Sequence, residues 1–118
     1  MNFEVAPEFE KSLKRLNKKY PSLKTDYLDF LKELESNPTM GDEIFPNCRK
    51  VRIAIKSKGK GKRGGARIIF YFEIVEDTVI LLFIYDKSEI ENVQDVFIEY
   101  ILQQYLFNRE SVTDSTNI

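Results

Sequence analysis

Apolar residues recur along this chain with two different periods, and the change from one to the other divides it into a helical first third and a strand-rich middle. Asn2 to Val5 alternates apolar Phe3 and Val5 with polar neighbours, which predicts a short strand ending before Pro7. Beyond Pro7, a residue suited to the first helical position, Phe9, Leu13, Leu16 and Tyr20 return at helical spacing, with Glu8 and Glu10 early and lysines late, as the helix dipole favours. Pro21 interrupts that pattern. Ser22 is placed to cap a second helix carrying Leu23, Tyr27, Phe30, Leu31 and Leu34, and Asn37-Pro38 ends it. Two amphipathic helices joined by so short a link predict an antiparallel hairpin laid on a sheet.

After a loop from Met40 to Asn47 the period becomes two. Val51, Ile53 and Ile55 alternate with Lys50, Arg52 and Lys56, so one face of this strand is apolar and the other carries a row of cations. Gly65 to Phe72 and Val79 to Tyr85 read as two further strands, the second buried on both faces, with Glu76-Asp77 as the turn between them. Ser88 followed by Glu91 has the spacing of a capping box, and Ile90, Val93, Phe97, Ile101 and Tyr105 mark a third helix. A polar tail from Asn108 is expected to be loose. These elements predict an α+β fold: an N-terminal strand and a helical hairpin packed on a largely antiparallel sheet of three or four strands, then a C-terminal helix. Residues 1–107 would form one domain and 108–118 a flexible tail.

The length, 118 residues, suits one hydrophobic core, and the 42% of hydrophobic residues is enough to fill it. Cys48 is alone and cannot form an internal bridge, and no secretory leader pattern opens the sequence, which points to a reducing cytoplasm. The longest apolar run, Val79 to Tyr85, is far short of the roughly 20 residues a membrane-spanning helix needs. There is no histidine, which removes Ser-His and Cys-His nucleophile pairs, two-histidine ribonuclease chemistry and the commonest zinc ligand. Carboxylates are scattered, so neither a metal nor an organic cofactor is expected.

A net charge of −1 conceals a strong asymmetry. Nine of the 18 cations lie between Arg49 and Arg67, in a stretch with no acid from Ile44 to Phe72, which leaves nine cations against 19 acids elsewhere. Within it, Ser57 to Gly65 interleaves Lys58, Lys60, Lys62 and Arg63 with glycines, which let backbone approach a ligand closely while the cations neutralise phosphate. The loop lacks the GxxxxGK[ST] order of a nucleotide-binding P-loop. A soluble hairpin tip is the plainer alternative, but so dense a run of one sign departs from ordinary mixed surfaces. The lysines opposite the apolar stripe of the first helix, Lys11, Lys14, Lys18 and Lys19 with Arg15, read more simply as a solvated face.

Together these segments carry a family resemblance. Pro7-Glu8-Phe9 opening a lysine-rich helix, Asn37-Pro38 with Gly41, Arg49-Lys50-Val51-Arg52, Gly64-Gly65-Ala66-Arg67-Ile68-Ile69 and Tyr85-Asp86-Lys87-Ser88-Glu89 occur in the order of the RelE/ParE superfamily of type II toxins. The loop Ser57 to Gly65, followed by Arg67 and the aromatic Phe70-Tyr71-Phe72, is most similar to the HigB-like branch with its Lys-Gly-Lys-Arg-Gly-Gly signature. The resemblance covers about Asn2 to Ile101. It implies a bacterial cytoplasmic toxin, neutralised by a cognate antitoxin protein, that cleaves mRNA on the ribosome: the ribose 2'-hydroxyl attacks the adjacent phosphorus, expels the 5' oxygen and leaves a cyclic phosphate.

That reaction needs a base, an acid and fixed cations. Without histidine, a lysine crowded by other cations, Lys50 or Lys56, is the expected proton carrier, because like charges lower its pKa from about 10.4. Arg52 and Arg67 match cationic positions of RelE-type sites, Tyr85 and Lys87 are expected to position substrate, and Lys58, Lys60, Lys62 and Arg63 to bind phosphate. Two positions depart from the family pattern. Ser88 falls where many RelE toxins carry arginine, and Gln94 lies near their helical tyrosine, leaving the basic loop as the candidate substitute. A ParE-type inhibitor of DNA gyrase and a non-catalytic antitoxin-binding protein are the alternatives, and the lysine-glycine loop favours cleavage over gyrase inhibition, which has no need of a phosphate cradle.

Overall fold

The computed structural model describes the backbone of residues 1–116 and side-chain environments through residue 110. The elements follow as β1 (Asn2–Val5), α1 (Pro7–Lys19), α2 (Leu23–Ser36), β2 (Asp42–Phe45), β3 (Cys48–Ile53), a single 3-10 turn (Lys56–Lys58), β4 (Ala66–Glu73), β5 (Thr78–Asp86) and α3 (Asp95–Thr116). The strands form one sheet in the order β1-β5-β4-β3-β2. β1 runs parallel to β5, and the other neighbours are antiparallel.

The sheet separates two apolar clusters. On one face Phe9 and Leu16 of α1 and Leu23, Phe30 and Leu34 of α2 pack on Val51, Ile53, Ile68, Phe70, Val79 and Leu81. On the other, Ile98, Ile101 and Leu102 of α3 pack on Cys48, Ile69, Ile80 and Leu82. Because β4 and β5 are covered on both sides, their sequences are almost continuously apolar rather than alternating.

Five features differ from the sequence expectation. The sheet has five strands, because Asp42–Phe45, expected as loop, pairs with β3. β3 ends at Ile53, and Lys56 lies in the following 3-10 turn instead of continuing the strand's cationic row. Ser22 stands at the start of α2 without a side-chain cap; its hydroxyl donates to Asp26 Oδ2 at 2.7 Å and accepts from Ser57 N at 2.8 Å. Ser88 does not open a helix, since its backbone N and its Oγ both donate to Asp86 Oδ1, at 2.9 and 2.8 Å, and α3 begins only at Asp95. The sequence boundary at Asn108 falls inside α3, where Arg109 pairs with Glu73 and Glu4 at 2.8 and 3.1 Å. Side chains beyond Glu110 lie outside the described residues.

At the entry to β4, Gly65 lies so close to β3 that an added Cβ would stand 2.0 Å from the Ile53 carbonyl oxygen and 3.0 Å from Ala54 Cα. Both neighbours are backbone and have little room to give. Gly65→Ala is therefore expected to destabilise the fold by about 2–3 kcal/mol, the upper part of the overpacking range, read as a lower urea midpoint at unchanged slope.

A cationic cleft at the end of the sheet

Beyond the edge of α3, the strands leave a cleft of about 560 Å³ lined by Asp42, Lys50, Arg52, Arg67, Tyr85, Lys87, Glu91 and Asn92. Its floor is a cross-strand row: Arg52 of β3 stands opposite Arg67 of β4, and Arg67 opposite Tyr85 of β5. Lys50 lies one pleat along β3, opposite Asp42 of the strand that the sequence did not reveal. Four cations thus face two acids in a space of the size that ordinarily holds small ligands, roughly 300–1,000 Å³.

Tyr85 reaches this face because of an irregularity in β5. Ile69 pairs with Phe83 but Phe70 with Leu81, so Leu82 is an extra residue. A bulge of this kind shifts the phase of everything beyond it. Leu82 and Tyr85 consequently share the α3-side cluster, while Ile84 belongs to the opposite one. Strict alternation from Leu82 would have turned Ile84 and Asp86 toward the cleft instead.

Arg67 is almost fully buried, at 6% exposure, and carries no acidic partner in the described structure. Its Nη1 donates to the Lys62 and Ala66 carbonyls at 3.0 and 3.1 Å, and Nη2 to the Arg63 carbonyl at 3.0 Å. Three of the five guanidinium donors are therefore engaged, two on the end of the glycine-rich loop and one on the first residue of β4. Burial, and then the charge of Arg52, lower its pKa, against the opposing effect of Tyr85. Burial raises the Tyr85 phenol, again with Arg67 acting in the opposite sense. The phenol therefore keeps its proton at neutral pH and can donate it.

Arg52 is exposed and has no hydrogen-bond or ion-pair partner among the described residues. Lys50 Nζ donates to Asn92 Oδ1 at 3.4 Å, and Lys87 Nζ to the Glu91 carbonyl at 2.6 Å, so both lysines reach the segment between β5 and α3.

The remaining candidates separate into two groups. Lys60, Lys62 and Arg63 are exposed on the loop, as expected of groups available to phosphate. Lys56 and Lys58 instead each meet an acid, Lys56 on the exposed surface and Lys58 in the interior. Lys56 turns toward α2, where its Nζ lies 3.7 Å from Asp29, in a second groove with Asp26 and Glu33. It does not share a face with Lys50, because the strand that would have kept the alternation ended at Ile53. Lys58 points inward, at 9% exposure, and its Nζ lies 2.8 Å from Asp86, a carboxylate that is wholly buried. A cation neutralised in this way is not free to bind phosphate. On α1, Arg15 forms a two-bond pair with Glu89 and Lys19 lies 3.6 Å from the same acid, so part of that basic face is committed to internal pairs.

Sequence reasoning missed Asp42, Glu91, Asn92 and Asp86. Only Asp86 left a signal, as the one acid closing the apolar run of β5.

No family model matches the chain. Among solved structures it is similar to a double arginine-to-alanine mutant of E. coli toxin RelE in the free state, with a TM-score of 0.53 over 76% of this chain and 86% of that one, at 14% identity. The fold is RelE-like. The likeness rests on architecture, since so few residues are shared, and the cleft lies on the RelE-like sheet where Lys50, Arg52, Arg67, Tyr85 and Lys87 meet.

Proposed function

We propose that this protein is the toxin of a type II toxin-antitoxin system, of the HigB-like branch, and that it cleaves mRNA on the ribosome. The observation that carries this reading is the convergence of Lys50, Arg52, Arg67, Tyr85 and Lys87 in one cleft, beside a loop bearing three further exposed cations. Arg67 and Arg52 supply planar donors for the charge that develops on the phosphoryl oxygens. Lys50 is the proton carrier for the 2'-hydroxyl, since Lys56 lies elsewhere. Tyr85 and Lys87 serve the departing 5' oxygen, the phenol being a group that holds a proton to give. Lys60, Lys62 and Arg63 grip the backbone of messenger or ribosomal RNA. The cognate antitoxin, the ribosome and mRNA are the partners this reading requires, in a bacterial cytoplasm, with no metal or organic cofactor in the reaction.

The test is induction of the chain in bacteria with messenger 5' ends mapped genome-wide and DNA breakage followed in parallel. Codon-linked cuts that vanish in an Arg52→Ala/Arg67→Ala variant are the expected result. DNA damage signalling without cuts would mean gyrase inhibition instead, and silence in both assays would mean a non-catalytic protein. Reversing the loop charges with Lys60→Glu, Lys62→Glu and Arg63→Glu should weaken ribosome binding and flatten its salt dependence, by about one unit of slope per lost phosphate contact. Unchanged toxicity in that variant would exclude the loop from function.

A further inference from the structure

The glycine-rich loop reads as a flexible arm, yet both of its ends are fastened to the end of β5, where Tyr85 and Asp86 are followed by Lys87. At its exit, Arg67 holds the Lys62 and Arg63 carbonyls, and Gly65 O accepts the Lys87 backbone N–H at 3.1 Å. At its entry, Lys58 directly precedes Gly59, whose left-handed φ of 71° starts the loop, and Lys58 Nζ reaches Asp86 Oδ1 at 2.8 Å.

Asp86 has no solvent exposure, and donors surround its carboxylate. Besides Lys58 they are Tyr20 Oη from the end of α1, Ser88 N and Ser88 Oγ, with Lys19 Nζ at 3.9 Å. Lys58 Nζ also donates to Ser88 Oγ at 3.3 Å. This cluster lies on the side of the sheet away from the cleft, and none of its members lines the cleft. Its sequence neighbours do: Tyr85 and Lys87 flank Asp86 and both face the cleft.

A buried, multiply bonded carboxylate is far more than the end of a loop needs for solubility. Its geometry instead fixes the relative position of two parts that must meet one ligand. We propose that Lys58 and Asp86 are positioning residues, a strut that locks the loop entry to the end of β5 so that the loop cations and the cleft engage one phosphate backbone as a rigid unit. The catalytic consequence rests on the RNA-cleavage reading; the mechanical one does not.

Two measurements keep these apart. In native-state hydrogen exchange of the unmodified protein, the amides of Lys58, Gly59, Lys87 and Ser88 should open together with one free energy. Unrelated opening energies at the two ends would overturn the strut. In single-turnover cleavage on programmed ribosomes, Lys58→Met should lower the maximal rate by about tenfold to a hundredfold, as small misplacements do. Half-saturation should move little, since the exposed loop cations are retained. Lys58→Gln serves if the methionine variant does not fold. Arg109→Leu, which breaks the pair to Glu73 at the far end of the sheet, is the control for general destabilisation and should leave the maximal rate unchanged. A Lys58 variant that cleaves at the unmodified rate, or an Arg109 variant equally slowed, would refute the positioning role. If the unmodified protein shows joint opening but does not cleave, the strut stands and only the proposed reaction falls.

Discussion

Arg67→Lys should reduce RNA cleavage by about 10²–10³-fold, the usual cost of losing one fixed donor to a developing oxyanion, although it leaves the net charge unchanged. Lysine is a point charge on a flexible stem and cannot reproduce a planar fork. In this protein the fork also donates to the Lys62, Ala66 and Arg63 carbonyls, so the substitution frees the loop exit as well as removing the proposed phosphate donor. Arg52→Lys should cost less, because Arg52 is exposed and its charge can still reach a bound phosphate. Single-turnover rates on programmed ribosomes, with circular dichroism to confirm folding, test both. An Arg67→Lys protein cleaving as fast as the Arg52→Lys one would remove Arg67 from the reaction.

The largest loss of stability is expected from Asp86→Ala, about 3–5 kcal/mol, the cost of breaking a buried pair and leaving its partner charge uncompensated. Lys58 is the stranded cation, and Tyr20 and Ser88 lose their acceptor. A melting temperature lower by more than about 10 °C would follow for a domain of this size. The effect depends on pH in a fixed direction. Burial alone would raise the Asp86 pKa, but the hydrogen bonds from Lys58, Tyr20 and Ser88 outweigh it and hold the carboxyl well below the ordinary range. A depressed folded-state pKa contributes stability that is complete above the unfolded value of about 3.9 and is lost as pH falls toward the folded one. The gap between the unmodified and Asp86→Ala proteins should therefore stay constant through neutral pH and narrow in acid. Glu73, lowered chiefly by its bonds from Arg109, adds to the same acid sensitivity. Urea midpoints across pH measure this, and a gap that widens in acid would contradict the assignment.

Much of this architecture is legible in the sequence because burial imposes a period. The stripes of α1 and α2 and the alternation in β3 each have one covered face, and those elements lie where their patterns place them. The convergence of Arg52 and Arg67 also follows from pattern, since both sit out of phase with core residues of adjacent strands. What could not be read depends on contacts between distant segments. β2 is a four-residue edge strand whose Asp42 and Glu43 are exposed, and it has no apolar alternation to announce it. Lys58 and Lys60 look alike in a run of lysines and glycines, yet only Lys58 finds a buried acid, 28 positions away. Ser88 has a capping-box spacing, but Asp86 supplies a nearer acceptor and the helix waits until Asp95. The bulge at Leu82 leaves no trace in a strand so uniformly apolar, and it decides which face receives Tyr85.

Because β1 hydrogen-bonds only to β5, a chain emerging from the ribosome carries its Asn2–Val5 segment unpaired until Thr78–Asp86 has been synthesised and released. The same late strand delivers Tyr85, and the bonds that steady the loop arrive with it. Completion of the sheet and closure of the cleft are thus one event in the life of a nascent polypeptide, and a half-translated copy lacks both the partner of its first strand and the Tyr85 and Lys87 that line the finished site.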